Sequence, residues 1–193
     1  RSIKEGLVAN RIQSIFGILN GTSNYVLSKM TDEGKGFKEV LKEAQQKGYA
    51  EADPTYDIEG IDAAHKLTIL IRLAFGAAIQ FKDVFIGGIS EITPVDIQFG
   101  REFGYRIKLL AIAKVDGGKI EARVHPTMIP EKHLLSTVGG VFNAIYIKGD
   151  AVGPTLFYGQ GAGQMPTGSA VVGDLVELGR NHLIRASGRR VPL

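Results

Sequence analysis

Cysteine is absent from all 193 residues. That excludes a disulfide scaffold and any thiolate metal site. It fits an intracellular protein, and a cytoplasmic location is the expectation. Long hydrophobic runs are absent too: stretches such as Leu67–Ile71 are far too short to span a bilayer. No signal-peptide pattern, internal repeat or low-complexity segment is visible. Charge of one sign is scarce. Lys and Arg number 23 against 20 Asp and Glu, a net charge of +3, and part of that surplus sits in an Arg-rich tail after Arg180. Neither a nucleic-acid nor a membrane partner is expected from such a balance. The chain opens Arg1-Ser2-Ile3 without an initiator Met, so a processed product or a piece of a longer protein is expected.

What is present is an ordinary globular composition, 44% hydrophobic and 22% charged. This length makes one domain with a full core, or one and a piece. Residues 1–9 read as the tail of a helix. Arg11–Leu19 reads as a buried strand, and Asn20-Gly21-Thr22-Ser23 as a turn opening a helix from about Ser23 to Asp32. Phe37–Lys47 is amphipathic at the helical period. A third helix runs from Ile58 or Gly60 to Phe75, closed by Gly76. Thr93-Pro94 starts another, reaching Gly104. Tyr105–Val115 and Lys119–Met128, joined at Asp116-Gly117-Gly118, form the clearest hairpin. A short helix or turn at Glu131–Thr137, a strand at Val141–Lys148, a strand and glycine-rich turn at Gly153–Gly163, and a helix at Gly168–Leu183 follow. Helices come first and strands later, without βαβ alternation. The expected class is α+β, with a mixed, largely antiparallel sheet and helices packed on one face. Tyr105–Val115 is apolar on both faces, so the second face needs another layer, and a two-fold partner using the sheet for dimerisation is the expected one.

The segment from Gly48 to Lys66 concentrates the chemistry. Glu51, Asp53, Asp57, Glu59 and Asp62 precede Lys66 within sixteen residues. With Lys66 as origin and roughly 100° per residue, Asp62 falls near −40°, Ile69 near −60°, Leu73 near −20° and Leu70 near +40°. His65, Thr68 and Arg72 take a different flank. On that reading the pair shares an azimuth with leucines, and the lysine is partly desolvated beside a carboxylate, a combination suited to proton transfer. The alternative is a plain i,i+4 pair on a helix surface, worth a few tenths of a kcal/mol.

Other candidates are weaker. The acidic loop Glu51, Asp53, Asp57, Glu59 suits a cation or an amino group but lacks a calcium-loop pattern, and a solvated acidic loop is the alternative. Asn20-Gly21-Thr22-Ser23 offers free N–H groups for an anion, or is a helix cap. Gly159-Gln160-Gly161-Ala162-Gly163 resembles a phosphate cradle without the strand and helix context. His125 and His133 are isolated, and no metal site is expected.

Four motifs in order, Ile18-Leu19-Asn20-Gly21-Thr22-Ser23-Asn24-Tyr25, Gly48-Tyr49-Ala50-Glu51-Ala52-Asp53-Pro54, Gly60-Ile61-Asp62-Ala63-Ala64-His65-Lys66-Leu67 and Gly161-Ala162-Gly163-Gln164-Met165-Pro166-Thr167, resemble the homoserine dehydrogenase family over nearly the whole chain. The resemblance implies NAD(P)-dependent interconversion of L-homoserine and L-aspartate 4-semialdehyde, on the route to threonine, methionine and isoleucine. It implies Lys66 as acid/base and Asp62 as the residue that binds substrate and orients or balances Lys66. Glu51 would take the substrate amino group, with Asp57 as a further polar contact and Tyr49 and Thr22 as pocket residues. Gly48 and Gly163 would meet the nicotinamide cofactor.

The family's N-terminal Rossmann domain, with its G-x-G-x-x-G loop, has no counterpart in these 193 residues. Its second active-site lysine and its alkali-metal site lie in that part. The resemblance therefore divides the chain into 1–160, for substrate binding, catalysis and dimerisation, and 161–193, a segment returning to the nucleotide domain. NAD(P) would be held mainly by a domain absent from this chain, and the fragment alone would not turn over. A homodimer or higher oligomer is implied. Two competing readings stay open: a non-catalytic dimerisation or amino-acid-binding module with Asp62–Lys66 as a structural pair, and a Schiff-base lysine, disfavoured because Asp62 would keep Lys66 protonated.

Overall fold

The structure is a computed structural model, and it describes residues 2–184. The Arg-rich tail beyond them, and with it the end of the 161–193 segment, lies outside the described residues. One six-stranded sheet carries the fold, in the order β2-β4-β3-β1-β5-β6. β1 (Ile12–Ile18), β3 (Tyr105–Asp116), β4 (Lys119–Pro130), β5 (Phe142–Gly149) and β6 (Gly153–Gln160) pair antiparallel. The two-residue β2 (Phe85–Ile86) adds a parallel edge to β4. The sheet is thus mixed and largely antiparallel. β1 lies inside it, and its run of Ile and Phe is what a strand covered on both faces requires.

The hairpin β3–β4 keeps one register from Tyr105↔Pro130 to Asp116↔Lys119. Its turn uses Gly117 and Gly118, both at positive φ (54° and 77°), where a Cβ would be strained. β3 sends Ile107, Leu109, Ala111 and Ala113 into the larger core. There they meet side chains of α1 (Gly21–Glu33), α2 (Phe37–Gln46), α4 (Ile61–Phe75) and α5 (Pro94–Glu102). Leu27, Met30, Val40, Leu67 and Ile71 are fully buried in it. Leu110 and Ile112 face the other way, into a smaller core with Ile18, Ile129 and Ala144 that is closed by Leu135 and Val138 of the segment after β4. Phe16 and Tyr146 meet edge to face there, centroids 6.3 Å apart. The chain itself therefore covers part of the second face.

Three sequence expectations are corrected. The first residues form one π-helical turn at Ser2–Gly6 rather than a helix tail. The third helix is two pieces: α3 (Thr55–Ile58), then α4 after Gly60, whose φ of 78° breaks the helical run. Helix α6 (Gln164–Leu183) starts four residues before Gly168, because Pro166 falls in its first turn, where no N–H is required. No residue of α6 is buried.

Where β1 ends, α1 is tied across to the segment before β5. Asn24 Nδ2 donates to the carbonyls of Val138 (3.2 Å), Gly140 (3.0 Å) and Phe142 (3.0 Å). Its Oδ1 accepts from Lys108 Nζ at 3.0 Å, and Lys108 also donates to Ser28 Oγ (3.1 Å) and Val138 O (2.7 Å). Lys108 is only 3% exposed. Burial pushes its ammonium down to about 8 from 10.5, Arg106 adding to the shift and Asp32 opposing it. The folded state therefore binds fewer protons than the unfolded chain between those two values. Stability is expected to rise as pH climbs from about 8 to about 10.5. Urea midpoints measured in steps across that window check this, and Lys108→Met should flatten the rise relative to the parent.

Candidate active site

The site begins at the β1–α1 turn. Asn20, at φ −126° and ψ 119°, caps α1: its Oδ1 accepts from Ser23 N at 2.8 Å. Gly21 follows, and a Cβ there would lie 2.8 Å from the Val141 carbonyl, so only glycine lets α1 start this close to the segment before β5. Thr22 Oγ1 donates to Tyr49 O at 2.7 Å, fixing the Gly48-Tyr49 bend after α2. Behind that bend Tyr25 stacks at a tilt on Tyr49, centroids 5.0 Å apart, and donates to Glu43 Oε1 at 2.8 Å. Lys47 donates to the same oxygen at 2.6 Å. Hydrogen bonds from Lys47, then Tyr25, hold the Glu43 carboxyl down at about 2.

The acidic loop is short and self-capped. Asp53 Oδ1 accepts from Thr55 N (3.1 Å) and Thr55 Oγ1 (2.6 Å) at the start of α3. Ser23 Oγ donates to the Asp57 carbonyl at 2.7 Å, holding α3 against α1. On the outer side His65 is stacked between Tyr56 and Phe81, with centroids 5.8 and 4.2 Å away. At Gly88 a Cβ would stand 2.8 Å from Glu59 Cα and from the Ile58 carbonyl, so the α3–α4 junction rests directly on the backbone after β2.

Asp57, Asp62 and Lys66 converge. Asn20 Nδ2 donates to Asp57 Oδ1 at 2.7 Å and to Asp62 Oδ2 at 2.9 Å. Lys66 Nζ donates to the same Asp62 Oδ2 at 2.7 Å and to Leu19 O at 3.0 Å. An ammonium has three N–H groups. Two are used, and the third has no hydrogen-bond acceptor among the described residues. Next to it opens a cleft of about 580 Å³. Leu19–Thr22, Lys47–Tyr49, Asp57, Asp62 and Lys66 form one side, Val141, Asn143 and Gln160–Gly163 the other. A cleft of similar size between α1 and α5, about 600 Å³, brings none of the sequence-predicted residues together.

Of the residues singled out from sequence, Thr22, Gly48, Tyr49, Asp57, Asp62, Lys66 and Gly163 all line this cleft. Glu51 does not: it is exposed, and its backbone carbonyl accepts from Gln45 Nε2 at 3.1 Å. The Asp62–Lys66 pair does not share the covered face of α4, contrary to the expectation from helical azimuth. The buried face of α4 is Ala63, Ala64, Leu67 and Ile71, whereas Ile69 is 60% exposed and the Lys66 side chain 48% exposed. The pair sits at the border of that face, on the cleft wall rather than in the core. Ile69 misled because an apolar residue on a helix need not be covered.

Sequence reasoning read Asn20 only as part of a helix cap or an anion-binding turn, and left Asn143 and Lys47 unassigned. Asn143 Nδ2 donates to Ile18 O at 3.0 Å, and a Cβ on Gly161 would lie 2.6 Å from Asn143 Oδ1. Gly161 therefore lets the glycine-rich turn close against that amide. Gly48 (φ 73°) has open space where a Cβ would point, and Gly163 (φ 120°) caps α6 at the cleft edge. Among the described residues no group of three or more His, Asp or Glu is placed to hold a metal ion.

Known proteins resemble this chain throughout. The family model described as homoserine dehydrogenase matches residues 1–176. A homoserine dehydrogenase of Neisseria gonorrhoeae is 54% identical over 193 residues, 100% of this chain and 44% of its own length. The crystal structure of a homoserine dehydrogenase from Thiobacillus denitrificans superposes with a TM-score of 0.94 at 58% identity, covering 98% of this chain and 44% of that one. A hyperthermophilic archaeal homoserine dehydrogenase mutant in complex with NADPH has a TM-score of 0.76 at 29% identity, over 98% of this chain and 53% of that one. The chain thus spans a little under half the length of the curated relative it matches from end to end. With one family model covering almost all of it and close relatives agreeing in both sequence and fold, this chain belongs to the homoserine dehydrogenase family.

Proposed function

We propose that the cleft is the substrate half of an active site that interconverts L-homoserine and L-aspartate 4-semialdehyde with NAD(P). The observation that carries this is the Lys66 ammonium, fixed by Asp62 and Leu19 O with one N–H left for the cleft, beside a second carboxylate, Asp57. The substrate is an amino acid with a reactive hydroxyl, so it needs an anionic contact for its ammonium and a proton acceptor at its oxygen. Asp57 and Asp62 supply the first, with Glu51 assigned to the same ammonium from outside the cleft lining. Lys66 supplies the second: as the neutral amine it takes the hydroxyl proton in oxidation, and as the ammonium it gives that proton to the carbonyl oxygen in reduction. Thr22 and Tyr49 shape the wall around the substrate. Gly48 and Gly163 are the residues of this chain that would meet the nicotinamide, which would take or give the hydride that completes the reaction.

NADPH in the archaeal relative supports this class of cofactor. The nucleotide is held mainly by a domain outside residues 1–193, to which residues 161–193 return, while residues 1–160 bind substrate. The unburied apolar side chains of α6, Val171, Leu175 and Leu178 among them, suit that docking. Dimerisation through the sheet, a cytoplasmic location and supply of threonine, methionine and isoleucine complete the reading.

The test is turnover by the full-length protein. It should reduce NAD or NADP in the presence of L-homoserine and oxidise the reduced form with L-aspartate 4-semialdehyde. A protein that binds L-homoserine by calorimetry yet transfers no hydride to either nucleotide would instead be a binding module. Borohydride trapping of the semialdehyde on Lys66 would replace the acid/base role with a Schiff base.

A further inference from the structure

We infer that Asn20 is a positioning residue for this site: its carboxamide sets the two carboxylates, and through Asp62 the direction of the Lys66 ammonium. The inference rests on the proposed function above. Asn20 is 6% exposed, and its side chain is saturated. Oδ1 is spent on Ser23 N, and each Nδ2 hydrogen goes to a different carboxylate, Asp57 Oδ1 at 2.7 Å and Asp62 Oδ2 at 2.9 Å. Two carboxylate oxygens held at one nitrogen repel each other, and the donor between them offsets that repulsion.

The capping role alone does not call for asparagine. Ser, Asp and Asn cap helices about equally well. Only the amide combines one acceptor for the cap with two donors for the carboxylates. Ser has a single hydroxyl hydrogen. Asp would bring a third carboxylate against the other two. The chemistry at position 20 therefore exceeds what α1 needs.

The contacts also close a ring. Lys66 Nζ bonds to Asp62 Oδ2 and to Leu19 O, and Leu19 immediately precedes Asn20, which holds that same Asp62 oxygen. One dipeptide, Leu19-Asn20, therefore sets both acceptors of the ammonium and so the aim of its third N–H. Asp62 Oδ2 accepts both hydrogen bonds, and Oδ1 accepts none among the described residues. Asn20 itself touches no reacting atom in this scheme; it acts through Asp57, Asp62 and Lys66.

The experiment compares Asn20→Ser and Asn20→Asp with the parent in the full-length protein, reading melting temperature, kcat, KM for L-homoserine and KM for the nucleotide. Both substitutions keep a cap, so cooperative melting should persist, within a few degrees of the parent for Asn20→Ser and lower for Asn20→Asp, whose third carboxylate repels the other two. kcat/KM for L-homoserine should fall about 100-fold, shared between a higher KM and a lower kcat, because misaimed groups of this kind cost about that much. KM for the nucleotide should stay within about twofold. A residue that only caps α1 would be rescued by Ser. So Asn20→Ser with kcat and KM within about twofold of the parent overturns the inference, as does loss of cooperative melting in both variants. A parent protein that does not turn over L-homoserine sinks the functional reading and this inference with it. An active parent with an indifferent Asn20→Ser sinks this inference alone.

Discussion

Lys66→Ala in the full-length protein is expected to lower kcat for L-homoserine oxidation by about 10²- to 10⁴-fold, the usual contribution of a positioned acid/base. Nucleotide affinity should stay within about twofold, since Lys66 meets Asp62, Leu19 and the cleft rather than the two bare glycines. Fold stability should barely move. The lysine side chain is 48% exposed and its ion pair with Asp62 has the i,i+4 geometry of a surface pair, a class worth a few tenths of a kcal/mol. That contrast between kinetic and thermodynamic effect is what separates the two readings of this pair. If steady-state kinetics show the alanine variant retaining full turnover, Lys66 is not the acid/base.

Asn24→Ala should act in the opposite way, on stability. The substitution removes the Asn24 donor from the carbonyls of Gly140 and Phe142, leaves Val138 O with Lys108 alone, and removes one of three acceptors from a buried ammonium. Unpairing buried polar groups costs about 1–3 kcal/mol each, more where a charge is involved. A loss of about 3–5 kcal/mol is expected, a large share of what holds a domain folded. Chemical denaturation measures it. Combining Asn24→Ala with Lys108→Met should recover part of the loss, since the charge no longer needs solvating; strict additivity of the two would contradict the coupling drawn here.

Much of this was legible in the residues. The Gly117-Gly118 hairpin, the Thr93-Pro94 helix start and the Gly48–Lys66 segment are local signals, read from neighbours a few positions away. They place helices, turns and most of the cleft wall. What was not legible depends on distant partners. Asn20 reads as a cap because the N–H it caps, that of Ser23, is three residues away, while its carboxylates are 37 and 42 residues away. Lys108 reads as a polar residue in a strand that carries apolar residues on both faces, and nothing nearby says that α1 will cover it. β2 is two residues long and pairs parallel with β4, so it has neither length nor alternation to show itself. Glu51 was placed by motif alone, and its side chain stands outside the cleft lining.

The assembly order of the sheet bears on how the protein acquires its chemistry. β1, near the amino end, is flanked by β3 and β5, so Gly17 pairs with Ala111 on one side and with Ile145 on the other. Pairings that far apart in sequence close late, because the loop entropy must be overcome before the contact returns anything. The cleft draws its far wall, Val141, Asn143 and Gln160–Gly163, from the start of β5, the end of β6 and the residues beside them. A chain still being synthesised, or one that has opened at β5, can present α1, α3 and α4 already formed and yet have no enclosed site. Ligand bound across that cleft would then hold the late strands in place and slow unfolding more than it hastens folding.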